Sequence, residues 1–145
     1  MNDLLIRKYK PTDEQKVIDL WSECNLVFPW NNPKRDIERK LNDSPGLFFV
    51  GELDGKIVAC CMSGYDGHRG WIYYLAVKPE LRNQNIGSLM IKHAEKKLES
   101  LGCPKINLMV RIGNEGVFSF YQKIGYMDDP VFVLSKRLYE DDPYE

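Results

Sequence analysis

A loop between a predicted strand and a predicted helix is the first segment whose residue types suggest chemistry. It reads Arg82-Asn83-Gln84-Asn85-Ile86-Gly87. Backbone N–H groups at the start of a helix lack partners within the helix, and with the helix dipole they favour a phosphate or pyrophosphate. Gly87 would let a ligand approach the backbone, and Asn85 is next to glycine in tolerating a positive φ. The loop indicates an anion site, although an isolated loop of this kind is more often a simple connection.

A second segment, from Asn114 to Tyr126, begins about one strand after the helix that follows the loop, and it strengthens the functional interpretation of the loop. Neither G-K-[ST] nor G-x-G-x-x-G occurs in the chain, which excludes a P-loop and a dinucleotide fingerprint. Together the two segments resemble the Gcn5-related N-acetyltransferase (GNAT) superfamily. Its cofactor loop, [RQ]-x-x-G-x-[GA], matches residues 82–87, and its downstream pattern, N-x-x-A-x-x-[FL]-Y-x-x-x-G-[FY], matches at Asn114, Phe120, Tyr121, Gly125 and Tyr126.

Other features fit the same family, and two depart from it. The strand Leu75-Ala76-Val77 before the loop is typical, and the run at 65–70 looks like the small bacterial YpeA-type members. Asn85 stands where the family usually has glycine, and Val117 where it usually has alanine. Because asparagine can adopt the left-handed conformation, we expect cofactor binding to survive the first departure.

The resemblance implies that the chain uses acetyl-CoA as acetyl donor and passes the acetyl group directly to a primary amine. The acceptor would be a small molecule or a protein α-amine. The main alternative is a non-catalytic acyl-CoA-binding module on the same fold; a pure protein-interaction domain would leave the paired motifs unexplained. The residues that the resemblance assigns to acetyl-CoA are Leu75, Ala76, Val77, Arg82, Asn83, Gln84, Asn85, Ile86, Gly87, Ser88, Asn114 and Tyr121.

Tyr121 is the predicted catalytic residue. A phenol has a reference pKa of about 10 and can supply the proton that a leaving thiolate needs. Its pattern alone would make it a core tyrosine beside Phe118 and Ile124, and only the family motif favours a general acid.

The general base is left open by the sequence. Many family members carry a glutamate on the fourth strand, whereas here the strand reads Trp71-Ile72-Tyr73-Tyr74. Asp66, His68 and a water relay are the alternatives, although Asp66 suits a turn and a loop histidine is usually solvated. Because no strong general base is evident, the sequence favours an α-amine acceptor, with a reference pKa of about 8, over a lysine ε-amine, with a reference pKa of about 10.4.

The acceptor pocket is expected near the loop that carries Trp30. Trp30 could wall the pocket or bind a cation on its ring, and an anchoring core tryptophan is an equally good interpretation. The predicted substrate residues are Trp30, Asp66, His68 and Tyr73, and no metal site is predicted. Trp71 is assigned to the core.

Hydrophobic periodicity and turn signals predict the elements that hold these residues. Strands are predicted at 4–9, 47–53, 56–63, 71–77, 105–110 and 131–134, and Asp54-Gly55 is predicted to form a two-residue hairpin turn between the second and the third. Helices are predicted around Val17 and Trp21, after the Asn32-Pro33 cap, from Ile86 to Leu101 and from Asn114 to Ile124. The resulting fold class is α/β (α+β), with a mixed, mostly antiparallel sheet and helices on both faces. A single domain over 1–145 is expected, with a frayed acidic tail at about 139–145.

Composition sets the outer limits on function. The 145 residues carry a net charge of −1, which argues against nucleic acid as a partner. No apolar run approaches the roughly 20 residues that a bilayer span needs, and no signal peptide is visible, so a cytoplasmic protein without a membrane partner is expected. The four cysteines form no C-x-x-C pair and are predicted to be reduced core thiols. Phe132, Val133 and the tail could support a homodimer.

Overall fold

The computed structural model describes residues 3–144, in which five strands form a single sheet flanked by helices. The strands lie in the order β1-β2-β3-β4-β5, antiparallel except for the parallel pair β4–β5. The elements follow the chain as β1 Leu5–Lys8, α1 Glu14–Glu23, α2 Pro33–Asp43, β2 Phe48–Leu53, β3 Lys56–Tyr65, β4 Gly70–Val77, α3 Ile86–Ser100, β5 Ile106–Leu108 and α4 Glu115–Lys123. The α/β fold expected from the sequence is confirmed.

Two local signals act as predicted. The Asn32 side chain caps α2 by accepting hydrogen bonds from the N–H groups of Lys34 and Arg35, at 3.0 and 3.3 Å. Asp54 and Gly55 both have a positive φ, 53° and 75°, which is the conformation of a tight hairpin turn between β2 and β3.

The helices cover the two faces of the sheet and enclose two cores. Val17, Ile18 and Trp21 of α1 belong to the first core, with Ile37 of α2. The second core contains α3 and Tyr121 of α4. Adjacent strand residues point to opposite faces, so neighbouring Cys60 and Cys61 fall in different cores, and both are free thiols as predicted.

The predicted last strand at 131–134 is wrong. The segment has no strand conformation, and the side chains of Phe132 and Leu134 are 96% and 93% exposed. β-Branched and aromatic residues are compatible with a strand, but the strand forms only where a neighbouring edge pairs with it. The chain instead crosses to the loop before α2, where Arg137 donates to the carbonyl of Trp30 at 3.3 Å.

Of the acidic tail, which the sequence predicts to be frayed, residues 139–144 lie along α2, and residue 145 is outside the described residues. Arg39 forms an ion pair with Asp141, and its guanidinium lies 5.6 Å from the ring centroid of Tyr139. Asn32 donates to the carbonyl of Asp142 at 2.8 Å, and Tyr144 packs on the first core. Within residues 3–144, no helix is long and apolar enough to cross a membrane.

Candidate active site

Strands β4 and β5 separate part of the way along the sheet, and the candidate site lies where they separate. They pair only from Gly70 with Ile106 to Ile72 with Leu108. Beyond Ile72, no strand among residues 3–144 pairs with the outer edge of β4, while β3 holds its other edge. Successive residues direct their backbone groups to opposite edges of a strand, so within 75–77 only the groups directed away from β3 are open to a ligand. The carbonyl of Val77 accepts from the Cys24 thiol at 3.3 Å.

A bulge in β4 turns two successive tyrosines to the same side. Cys60 pairs with Ala76 but Met62 pairs with Tyr73, so β4 has one extra residue, and Tyr74 has a φ of 51°. In a regular strand Tyr73 and Tyr74 would point to opposite faces. Here both face α2 and line the same groove.

The predicted anion loop has the backbone conformation that the sequence indicated. Asn85 is the N-cap of α3 with a φ of 65°, which confirms its predicted left-handed conformation, and Asn83 has the same φ. The Asn85 side chain makes no capping hydrogen bond. The first N–H groups of α3 therefore lack a side-chain acceptor at this cap, as an anion-binding helix start requires.

The two sequence motifs meet at the start of α3. A Cβ added to Gly87 would lie 3.3 Å from Cζ of Phe120 and 3.7 Å from Cγ2 of Val77. The loop, the end of β4 and α4 are thus in contact at this glycine. Tyr121 follows Phe120 directly, and the two rings lie edge to face with centroids 5.0 Å apart.

Tyr121 is 8% exposed, and burial raises its pKa, with the neighbouring Cys61 adding to the effect. The phenol therefore stays protonated at neutral pH. Its hydroxyl has no hydrogen-bond partner among residues 3–144, whereas the adjacent Tyr126 donates to Glu95 at 2.7 Å. Asn114 is the N-cap of α4, and its oxygen accepts from the N–H of Val117 at 3.3 Å.

The loop between α1 and α2 reaches across to the chain beyond β5. The rings of Phe28 and Trp30 stack with centroids 4.6 Å apart. The guanidinium of Arg111 lies 4.8 Å from the Phe28 centroid and 5.3 Å from that of Trp30. Because Arg111 follows β5 while the loop belongs to the α1–α2 layer, this contact bridges the gap between β4 and β5.

A groove of about 490 Å³ opens between α2 and the ends of β3 and β4. Its walls combine aromatic rings with charges of both signs. It is lined by Asp36, Arg39, Lys40, Asp43, Met62, Gly64, Tyr65, Asp66, Trp71, Tyr73 and Tyr74.

Tyr74 fixes one wall of this groove. Its ring stacks on Trp21 at 3.8 Å between centroids, its hydroxyl donates to Asp36 at 2.6 Å, and it accepts from Asn31 at 2.6 Å. Burial raises the pKa of Tyr74, and the Asp36 carboxylate raises it further. The hydroxyl therefore remains a donor and holds the carboxylate of Asp36 in place.

The structure brings together only half of the predicted substrate residues. Asp66 and Tyr73 line the groove, whereas Trp30 and His68 do not. Asp66 accepts from the backbone N–H groups of His68 and Arg69, both at 2.8 Å, and these bonds hold its pKa below the usual range. Asp66 thus forms the turn that was one of its two sequence interpretations. Trp71, assigned to the core, instead lines the groove because the bulged end of β4 is only partly covered.

Sequence reasoning missed all four charged residues that α2 contributes to the groove, Asp36, Arg39, Lys40 and Asp43. Asp36 and Lys40 are spaced i,i+4, so they share a helix face, a pattern that most often marks a solvated surface. In the structure Lys40 is 8% exposed, and burial lowers its pKa despite the nearby Asp43. The only available signal was that both residues flank Ile37, which points into the first core.

Comparisons with known proteins agree with this geometry. The model of the acetyltransferase (GNAT) family matches residues 14–126. An acetyltransferase of Sodalis glossinidius is 52% identical over 140 residues, covering 96% of this chain and 99% of that protein. Among solved structures, the ribosomal-protein-S18-alanine N-acetyltransferase of Escherichia coli superposes with a TM-score of 0.74 at 22% identity, over 85% of this chain and 77% of the other. AAC(6')-Iy, solved with a CoA-containing bisubstrate analogue, has a TM-score of 0.74 at 16% identity, over 93% and 99% of the two chains.

Proposed function

Because the chain belongs to the acetyltransferase (GNAT) family, we propose that it transfers the acetyl group of acetyl-CoA directly to a primary amine bound in the groove between α2 and β4. The observation that carries the proposal is the contact of Gly87 with Phe120. This proximity supports the proposal, because the start of α3, which would bind the pyrophosphate, and Tyr121, which would donate the proton, then lie near one another.

Residues from three elements fit the acetyl donor. The N–H groups of 84–88 would hold the pyrophosphate, since Asn85 leaves the helix start uncapped by its side chain. The outer edge of Leu75, Ala76 and Val77 would pair with the pantetheine arm as an added strand would. Arg82 and Asn83 complete the loop, and Asn114 borders the arm from α4. Bound acetyl-CoA supplies a thioester carbonyl for the amine to attack.

Tyr121 supplies the proton in this reaction. A nitrogen–carbon bond forms, the carbon–sulfur bond breaks, and the sulfur takes the proton of the Tyr121 hydroxyl. The amine loses one proton to solvent water, and the Tyr121 phenolate regains one from solvent, so the protons balance over the cycle. The buried phenol, which has no hydrogen-bond acceptor among residues 3–144, keeps its proton until such an acceptor arrives. A positioned acid of this kind contributes roughly 10²-fold or more to the rate.

The acceptor is an α-amine or another amine of low pKa. Strand β4 has no carboxylate, and Asp66 is engaged by backbone N–H groups and holds a lowered pKa. Without a strong base, an amine that is partly neutral at the working pH reacts best. The rate is expected to rise with pH up to about 8, the α-amine reference pKa, and then to level off. A flat profile across that range would contradict an α-amine acceptor.

The test measures binding and turnover separately. Acetyl-CoA is expected to raise the melting temperature by mass action. Thiol release that depends on an added amine is expected when a broad panel of primary amines is supplied. A thermal shift without turnover would favour the non-catalytic acyl-CoA-binding module. If neither a thermal shift nor thiol release is observed, acetyl-CoA is not a ligand of this protein.

A further inference from the structure

Lys40 brings a nearly buried positive charge to the wall of the groove. Its Nζ donates to Oγ of Ser44 at 2.7 Å, and that hydroxyl donates in turn to the Asp43 carboxylate at 2.8 Å. Within residues 3–144 no carboxylate oxygen lies within 4.0 Å of Nζ itself, so Lys40 has no direct ion pair. A Cβ added to Gly64 would lie 3.4 Å from the same nitrogen, which places it beside the open end of β3. An ammonium has three donors, and burying it without an anion is costly. The last turn of α2 offsets part of that cost through its dipole.

A negative charge stands one helical turn away on the same face. Residues four apart on a helix have Cβ atoms about 5–6 Å apart, so Asp36 could pair with Lys40. It does not, because its carboxylate accepts from the Tyr74 hydroxyl at 2.6 Å and from Arg39 at 3.3 Å. The groove therefore keeps a positive and a negative group side by side without joining them.

We infer that the groove takes a zwitterionic acceptor, a free α-amino acid or similar amino carboxylate, with its carboxylate on Lys40 and its amine toward Asp36. This inference rests on the proposed function. The adjacent charges of an α-amino acid match the adjacent charges of α2, and the rings of Trp71 and Tyr73 offer an apolar wall to its side chain. A peptide N-terminus presents the amine without the neighbouring carboxylate, so protein α-amines are the poorer substrates.

Matched triads of amines test this without any mutation. Each triad comprises a free L-α-amino acid, its α-carboxamide and the corresponding decarboxylated amine, for all twenty side chains where the compounds exist. Thiol release is followed with saturating acetyl-CoA. For at least one triad, kcat/KM of the free amino acid is expected to exceed that of the carboxamide by about 10-fold or more, the effect of one charge-assisted contact. Both values are expressed per neutral amine, because the adjacent carboxylate of the free amino acid raises the pKa of its amine. Equal or better turnover of the carboxamides or decarboxylated amines throughout would overturn the inference.

Lys40→Met identifies the residue responsible, with Lys34→Met on the exposed side of α2 as the matched control. The Lys40 variant should bring the acid-to-amide ratio to about one, mainly through KM, while the Lys34 variant leaves the ratio unchanged. Lys40→Arg, which keeps the charge, should retain part of the preference even if Lys40→Met is poorly folded. A ratio that persists in Lys40→Met would refute the assignment.

The outcomes also distinguish a failure of this inference from a failure of the proposed acetyltransferase function. If acetyl-CoA raises the melting temperature and only amines without a carboxylate are acetylated, the zwitterion assignment fails and the acetyltransferase reaction stands. If no amine is acetylated and acetyl-CoA gives no thermal shift, both fail.

Discussion

The hydroxyl of Tyr74 donates a 2.6 Å hydrogen bond to the carboxylate of Asp36, joining the bulge of β4 to the middle of α2. The bond spans 38 positions of sequence, and Tyr74, at the bulge, has a φ of 51°. A regular strand would direct the rings of Tyr73 and Tyr74 to opposite faces of the sheet. The bulge therefore shapes both the free strand edge and the groove wall.

Replacing Tyr74 with phenylalanine measures what this link contributes to stability. The ring and its stacking on Trp21 remain, while the hydrogen bonds to Asp36 and Asn31 are lost. We expect the unfolding free energy to fall by about 1–2 kcal/mol in urea titrations, since one of the lost bonds goes to a charged acceptor. Tyr73→Phe is the matched control on the same strand, and a fall of similar size there would show that the link contributes nothing specific.

Replacing Tyr121 with phenylalanine tests its role as proton donor. Removal of the hydroxyl should lower kcat by roughly 10²-fold while the affinity for acetyl-CoA changes little. Tyr126→Phe is the control, because its ring lies 5.6 Å from that of Tyr121 and its own hydroxyl donates to Glu95. Steady-state kinetics with both substrates varied gives the comparison, and an unchanged kcat in Tyr121→Phe would leave it a core tyrosine.

The left-handed backbone conformation of Asn85 is expected to affect the affinity for acetyl-CoA, and variants at this position test the effect. Asn85→Gly keeps that conformation accessible and should bind acetyl-CoA at least as well as the unchanged protein. Asn85→Ala disfavours it by about 1 kcal/mol, which corresponds to roughly fivefold weaker binding.

Titration calorimetry is the measurement for the Asn85 variants. Asn25→Ala serves as control because Asn25 also has a positive φ, 58°, but lies beyond the end of α1. Equal affinities for Asn85→Gly and Asn85→Ala would mean that the loop conformation does not govern binding.

Alkaline pH should destabilise the protein through its buried phenols and thiols. Burial raises the pKa of Tyr9 to about 12, and the pKa values of Tyr74, Tyr121 and Tyr126 are also raised by burial. A raised folded-state pKa gives stability that is fully present below the unfolded value of about 10 and is lost as the pH rises through the folded value. Burial also raises the pKa values of the Cys60 and Cys61 thiols, whose unfolded value is about 8.5. The urea midpoint is therefore expected to begin to fall above about pH 8.5, through the thiols, and to fall further from pH 10 to 12, through the phenols.

The Tyr9→Phe variant measures the part of the alkaline loss of stability that is due to Tyr9. Tyr9 stacks on Phe48 at 4.5 Å between centroids, and phenylalanine preserves this contact. The variant should lose less stability than the unchanged protein over the same pH interval. Parallel curves for the two proteins would assign the alkaline loss to other groups.

Local sequence signals predicted much of the fold and the donor half of the site. The Asn32-Pro33 cap, the Asp54-Gly55 turn and the left-handed Asn85 each act within a few residues, where backbone sterics and short hydrogen bonds decide the conformation. The prediction of a strand at 131–134 was wrong because strand formation depends on contacts with a distant part of the chain. Its residues suit a strand, but a strand also needs an edge to pair with, and the chain runs to the loop before α2 instead.

By itself the sequence determined the layers of the fold, the conformation of the anion loop and the identity of the family through residues 82–87 and 114–126. Only the tertiary structure decided the groove between α2 and β4, in which we propose that the acceptor binds. Asp36 and Lys40 look like an ordinary i,i+4 pair on a solvated helix. The β4 bulge brings the Tyr74 hydroxyl to Asp36, and the packing of α2 on the sheet buries Lys40 without a carboxylate partner among residues 3–144. Contacts between distant segments depend on strand register and helix packing together, and the spacing of residues along one element does not encode them.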